Sequence, residues 1–135
     1  MTIFRHYADL HVGARFPDEP ARYEVKAEVV NAYRTIGGGT SGQQDNHIAP
    51  PTLAAVYIRP AQNALNGPPG GIHAKQGFKF LIPVKVGDTL ETFLEVEELF
   101  ERNGRRFVVS KTQTTNQRGL LVCVGLITQV WGLEQ

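Results

Sequence analysis

The apolar residues of this chain change period once, at Gly71, and that change limits the fold more than any other feature. Upstream, Val29, Val30, Tyr33 and Ile36 recur at the spacing of one helical face. The run from Thr52 through Ile58 is apolar nearly all round, the mark of a buried helix. Downstream, Ile72, Ala74, Gln76, Phe78, Phe80 and Ile82 alternate with His73, Lys75, Gly77, Lys79 and Leu81, as the residues of a strand do. Leu90, Thr92, Leu94 and Val96 alternate in the same way with Glu91, Phe93, Glu95 and Glu97. One buried helix followed only by strands predicts an α+β fold in which an antiparallel sheet, in meander order, wraps a central helix. The 135 residues make a single domain, 1–135, large enough to bury a core without metal or disulfide. A ferredoxin-like split is excluded because it needs helices between the later strands.

Local signals set the boundaries. Residues 1–22 read as an irregular lead-in, interrupted by Gly13, Pro17 and Pro20. A helix over Ala27 to Ile36 is stopped by Gly37-Gly38-Gly39, since glycine takes the left-handed cap. Pro50-Pro51 opens the second helix, where a missing N–H costs nothing. Pro60 should kink or end its first part, and Asn66 to Gly71 ends the rest. Asn103-Gly104 is the dipeptide of a type I′ hairpin turn. The strand Arg106 to Thr115, a turn at Asn116 to Gly119 and a strand Leu120 to Trp131 complete the chain.

A formal net charge of +1 leaves no electrostatic pull toward nucleic acid or membrane. The basic string Arg102 to Arg106 sits on the hairpin tip, without interleaved aromatics, and reads as a solvated turn. Cys123, the only cysteine, lies in an apolar run and reads as a small buried hydrophobe. The first residues lack the apolar stretch of a secretory signal, and nothing approaches the roughly 20 apolar residues of a membrane span. A cytoplasmic location is the resulting expectation.

The loop from Gly37 to Pro51 is where chemistry is expected. Its Gly37 to Gly42 run is no phosphate loop, because a helix precedes it and no lysine follows. Asp45 and His47 are a carboxylate and an imidazole two residues apart, able to divide base and acid roles, or to be plain solvated loop residues. No third ligand stands in range for a metal. Strict alternation puts His73 on the strand face opposite Gln76, exposed or at a subunit contact.

Three stretches resemble a known family when taken together. They are Ile48-Ala49-Pro50-Pro51-Thr52-Leu53; Ile72 to Phe80 with Pro83 and Gly87-Asp88; and Asn116 to Gly119 before a closing apolar strand. They are similar to the MaoC-like hydratase/dehydratase family of hotdog proteins, over about Tyr23 to Trp131. The resemblance implies the hotdog fold, a thioester substrate carried by CoA or acyl carrier protein, no further cofactor, and reversible hydration of trans-2-enoyl thioesters. Active relatives carry an Asp and a His in G-D-x-N-P-x-H, and a backbone N–H at the start of the buried helix polarises the thioester carbonyl.

This chain departs from that pattern. Gly38 stands where the aspartate belongs and Gln43 where the histidine belongs, and neither exchanges a proton near neutral pH. Pro51 has no N–H, so Thr52 or Leu53 must supply the thioester donor. His73 and Gln76 are the candidates for an acyl tunnel or subunit contact. The resemblance therefore implies an acyl-thioester-binding subunit acting as a homodimer or as a heterodimer with another hotdog subunit. The alternatives are a self-sufficient hydratase using Asp45 and His47, and a thioesterase on the same fold. Thioesterase chemistry needs a carboxylate on the buried helix, and Thr52 to Leu65 has none.

Overall fold

The structure is a computed structural model that describes residues 3–36 and 48–134. The glycine stop at Gly37 to Gly39, and the positions Gly38, Gln43, Asp45 and His47, lie outside the described residues. In chain order the elements are a 3-10 turn (Tyr7–Asp9), β1 (Arg15–Glu24), α1 (Ala27–Ile36), a second 3-10 turn (Pro51–Leu53), α2 (Ala54–Tyr57), α3 (Arg59–Asn63), β2 (Ile72–Phe80), β3 (Thr89–Arg102), β4 (Arg105–Thr115) and β5 (Leu121–Val130). Five antiparallel strands form one sheet in the order β1-β3-β4-β5-β2.

This order corrects the meander expected from sequence. Only β3, β4 and β5 follow one another, whereas β2 crosses to the far side of β5 and becomes an edge. The lead-in also proves more regular than its prolines suggest. β1 begins at Arg15 and runs through Pro17 and Pro20, with a register shift between Phe16 and Ala21. An edge strand tolerates proline because its outer N–H groups need no ladder partner.

The central helix is broken rather than continuous. Pro60 cannot donate back to Val56, and the helix divides into α2 and α3 at Ile58. Nor is it buried all round, as Thr52, Ala55, Arg59, Pro60 and Asn63 are exposed. Leu53, Ala54, Tyr57, Ile58, Ala61 and Leu65 form one stripe that survives the break, and all are buried. Its first half packs with Val25, Val30, Leu90, Val122 and Ile127. Its second half packs with Leu94, Val96, Val108 and Trp131. Each large side chain of that stripe contributes roughly 1.5–3 kcal/mol by burial.

The sheet itself is shaped by small residues. Asn103 and Gly104, at φ 52° and 75°, form the type I′ turn between β3 and β4. On the inner face, Gly125 leaves room for two neighbours: a Cβ there would collide with Thr112 Oγ1 and stand 3.1 Å from the Phe78 ring. Inside the same face the Thr92 and Thr114 hydroxyls bond each other at 2.8 Å.

The N-terminal segment locks onto the far end of the helix. Arg5 Nε donates to the Leu65 carbonyl at 2.9 Å, closing the C-terminus of α3. Glu134 joins the two chain ends by accepting from the Tyr7 N–H, from the Trp131 indole at 3.1 Å and from Arg106 at 3.2 Å. The Tyr7 hydrogen bond, foremost, holds the Glu134 carboxyl below its ordinary value.

Two outcomes follow for stability. Gly125→Ala should lose about 1–3 kcal/mol in urea unfolding, and adding Thr112→Ala should recover much of that loss. Because the folded-state value of Glu134 is depressed, its contribution is complete above the unfolded glutamate pKa of roughly 4.3 and is lost as pH falls through the folded value. Glu134→Gln should therefore flatten the acid limb of a melting-temperature profile, and an unchanged limb would remove Glu134 from the account.

Candidate active site

The site is built around the start of the central helix. Ile48 bridges to Lys85, and the Ala49 N–H donates to the Val84 carbonyl at 2.7 Å, so the chain enters the helix from a fixed direction. Pro50 is extended, Pro51 starts the 3-10 turn, and the Leu53 N–H donates to the Pro50 carbonyl at 3.0 Å. Of the two donors expected from sequence, Leu53 is thus already engaged within the turn and is fully buried. Thr52 is exposed, and its N–H makes no hydrogen bond among the described residues.

An apolar cavity of about 290 Å³ opens beside this turn, walled by Ile48 to Pro51, Tyr57 and Phe80 to Val84. Tyr57 is 2% exposed, and among the described residues its hydroxyl has no oxygen or nitrogen partner, only the weakly bonding Cys123 thiol beside it. Burial pushes the Tyr57 phenol far above its ordinary value and also raises the Cys123 thiol. Neither group exchanges a proton near neutral pH. Cys123 is buried as expected.

A larger, more polar cavity of about 630 Å³ lies along the other side of the helix. Arg59, Gln62 and Asn63 line it from α3, His73 and Gln76 from β2, and Gln129 and Trp131 from the end of β5. Sequence alternation placed His73 and Gln76 on opposite faces. The structure brings them into one cavity because the register of β2 against β5 shifts between His73 and Lys75. The extra residue of that bulge reverses the alternation. Arg59, Gln62 and Gln129 were not singled out from sequence, although Arg59 is the only charged residue in the stretch from Thr52 to Leu65.

The Gly87-Asp88 motif is structural. Asp88 accepts from the Lys85 N–H at 2.8 Å and from the Gln117 amide at 3.0 Å, and Gln117 in turn accepts from the Thr89 N–H at 3.0 Å. These bonds fix the entry to β3 against the β4–β5 turn. Asp45 and His47 lie outside the described residues. No helix among the described residues is long and apolar enough to cross a membrane.

A helix laid into an antiparallel sheet, with an apolar cavity at the helix start, defines the chain as a hotdog-fold protein. A family model described as "FAS1-like, dehydratase domain region" matches residues 10–124. The chain belongs to that family. It is 27% identical over 137 aligned residues to a UPF0336 protein of Saccharopolyspora erythraea, covering 88% of this chain and 87% of that protein. Among solved structures it is similar to the unliganded R-hydratase PhaJ1 of Pseudomonas aeruginosa, with TM-score 0.75 and 26% identity over 95% of this chain and 86% of that one. It is similar to a MaoC-like dehydratase of Rhodospirillum rubrum, with TM-score 0.75 and 25% identity over 96% and 98% of the two chains. The 3R-hydroxyacyl-ACP dehydratase complex HadBC of Mycobacterium tuberculosis shares the fold at TM-score 0.73 and 23% identity, over 90% of this chain and 96% of that one.

The orphaned Tyr57 hydroxyl gives a direct test of this geometry. Tyr57→Phe should leave the ligand-free protein as stable as before, or more stable by up to about 1 kcal/mol in urea unfolding. A clear loss of stability would mean that the phenol has a partner.

Proposed function

We propose that this chain is an acyl-thioester-binding subunit of a (3R)-3-hydroxyacyl dehydratase or enoyl hydratase, working as a dimer with another hotdog subunit that supplies the acid–base pair. The observation that carries this reading is the position of β2. It is a sheet edge whose outer side pairs with no strand among the described residues, its residues are exposed apart from Phe78, and it lines the larger cavity through His73 and Gln76. A site built on an open edge is completed by whatever pairs with that edge.

In this reading the thioester carbonyl lies over the helix start, where the Thr52 N–H is the donor that polarises it. The apolar cavity beside Tyr57 shelters the carbon chain from water. CoA or acyl carrier protein is the carrier, and no other cofactor takes part. The family resemblance aligns Gly38 and Gln43 with the usual proton-transfer pair, so in this reading the partner's groups remove and return the protons.

The chain purified alone should sediment as an oligomer at micromolar concentration and should not hydrate a trans-2-enoyl-CoA. Hydration should appear when it is co-purified with a hotdog protein that carries the Asp-His pair. Turnover by this chain alone, abolished by Asp45→Asn or His47→Ala, would replace this reading with a self-sufficient hydratase.

A further inference from the structure

Acyl pockets are mostly apolar, with a few placed polar groups. The 290 Å³ cavity fits that description, and the 630 Å³ cavity does not. The larger cavity is lined by Arg59, Gln62, Asn63, His73, Gln76 and Gln129, and among the described residues no aspartate or glutamate lines it. Gln62 Nε2 is buried and has no acceptor among the described residues, which leaves an N–H donor unsatisfied beside the cavity. Leaving such a group unpaired is unfavourable, so an acceptor that reaches it is favoured correspondingly. Arg59 makes no ion pair among the described residues, although it is the only charge on the helix segment that forms one wall. Guanidinium and amide N–H groups without a competing carboxylate select anionic oxygen, since a charged acceptor roughly doubles the strength of each hydrogen bond.

We infer that the larger cavity binds an anionic oxygen group of the ligand, held by Arg59 and Gln62. The inference rests on the acyl-thioester reading and adds a chemical class to it. The anion is either a carboxylate at the far end of the acyl group or a phosphate of the carrier. Both present the same acceptor to the same donors, while a methyl-ended chain presents none.

The test is calorimetric titration of the purified protein, with its partner where one co-purifies, using three probes. Adenosine 3′,5′-diphosphate offers phosphate without an acyl group. The N-acetylcysteamine thioester of glutarate offers a carboxylate without phosphate, and the valeryl thioester is its uncharged counterpart of equal chain length. The expected result is that at least one anionic probe binds tenfold or more tighter than the valeryl thioester. Arg59→Gln and Gln62→Leu should each weaken that probe about tenfold, which is ~1.4 kcal/mol. Preference for the diphosphate assigns the cavity to the carrier, and preference for glutaryl assigns it to the acyl end. Equal binding of the glutaryl and valeryl thioesters without diphosphate binding would overturn the inference and leave the acyl-thioester reading intact. An anionic probe whose affinity is the same in Arg59→Gln and Gln62→Leu would also overturn it, as would no binding by any probe. Binding of the diphosphate alone, with enoyl hydration absent in every assembly, would instead sink the acyl-thioester reading.

Discussion

One apolar stripe on a short, broken helix holds this protein together. Leu53, Tyr57 and Ile58 pack with Val30 of α1 and with Val122 and Ile127 of β5, while Ala61 and Leu65 pack near Trp131. The stripe crosses the interruption at Pro60 without changing direction, because the ring removes one hydrogen bond and leaves the flanking turns in place. Everything else is positioned from that contact. The entry segment at Ile48 and Ala49 is stitched to Val84 and Lys85, the exit is closed by Arg5, and the two cavities are the spaces left on either side.

The two edges of the sheet are built for different ends. β1 is guarded by Pro17, Pro20 and a register shift, the devices by which an edge avoids further pairing. β2 has no proline and exposes Ile72 and Phe80, so it is the edge that remains open to another strand. The bulge in β2 then matters for chemistry, since it turns His73 and Gln76 to the same side. The cavity they share is rich in hydrogen-bond donors, unlike the apolar one beside Tyr57.

Much of the fold was legible in the chain itself. The helix over Ala27 to Ile36, the hairpin at Asn103-Gly104 and the long strands after Gly71 follow from periodicity and turn chemistry, which act over a few residues. The family likeness pointed to the helix start as the site, and the turn at Pro50 to Leu53 has the form that two prolines dictate. Less legible was the strand that carries Pro17 and Pro20, since a proline's tolerance depends on whether the strand lies at an edge. The alternation that separated His73 from Gln76 failed for a similar reason, as a bulge is set by how a strand fits its neighbour.

The sequence by itself determined the parts: one buried helical stripe, an antiparallel set of strands and the turns between them. Tertiary structure alone decided that β2 lies at the outside of β5, that the Leu53 N–H is engaged while the Thr52 N–H has no partner among the described residues, and that Arg59 and Gln62 face β2 across one cavity. Periods and turns are local properties that neighbouring residues specify. Strand order, hydrogen-bond competition and cavities arise where residues distant in sequence meet, and so become visible only once the chain has closed around its helix.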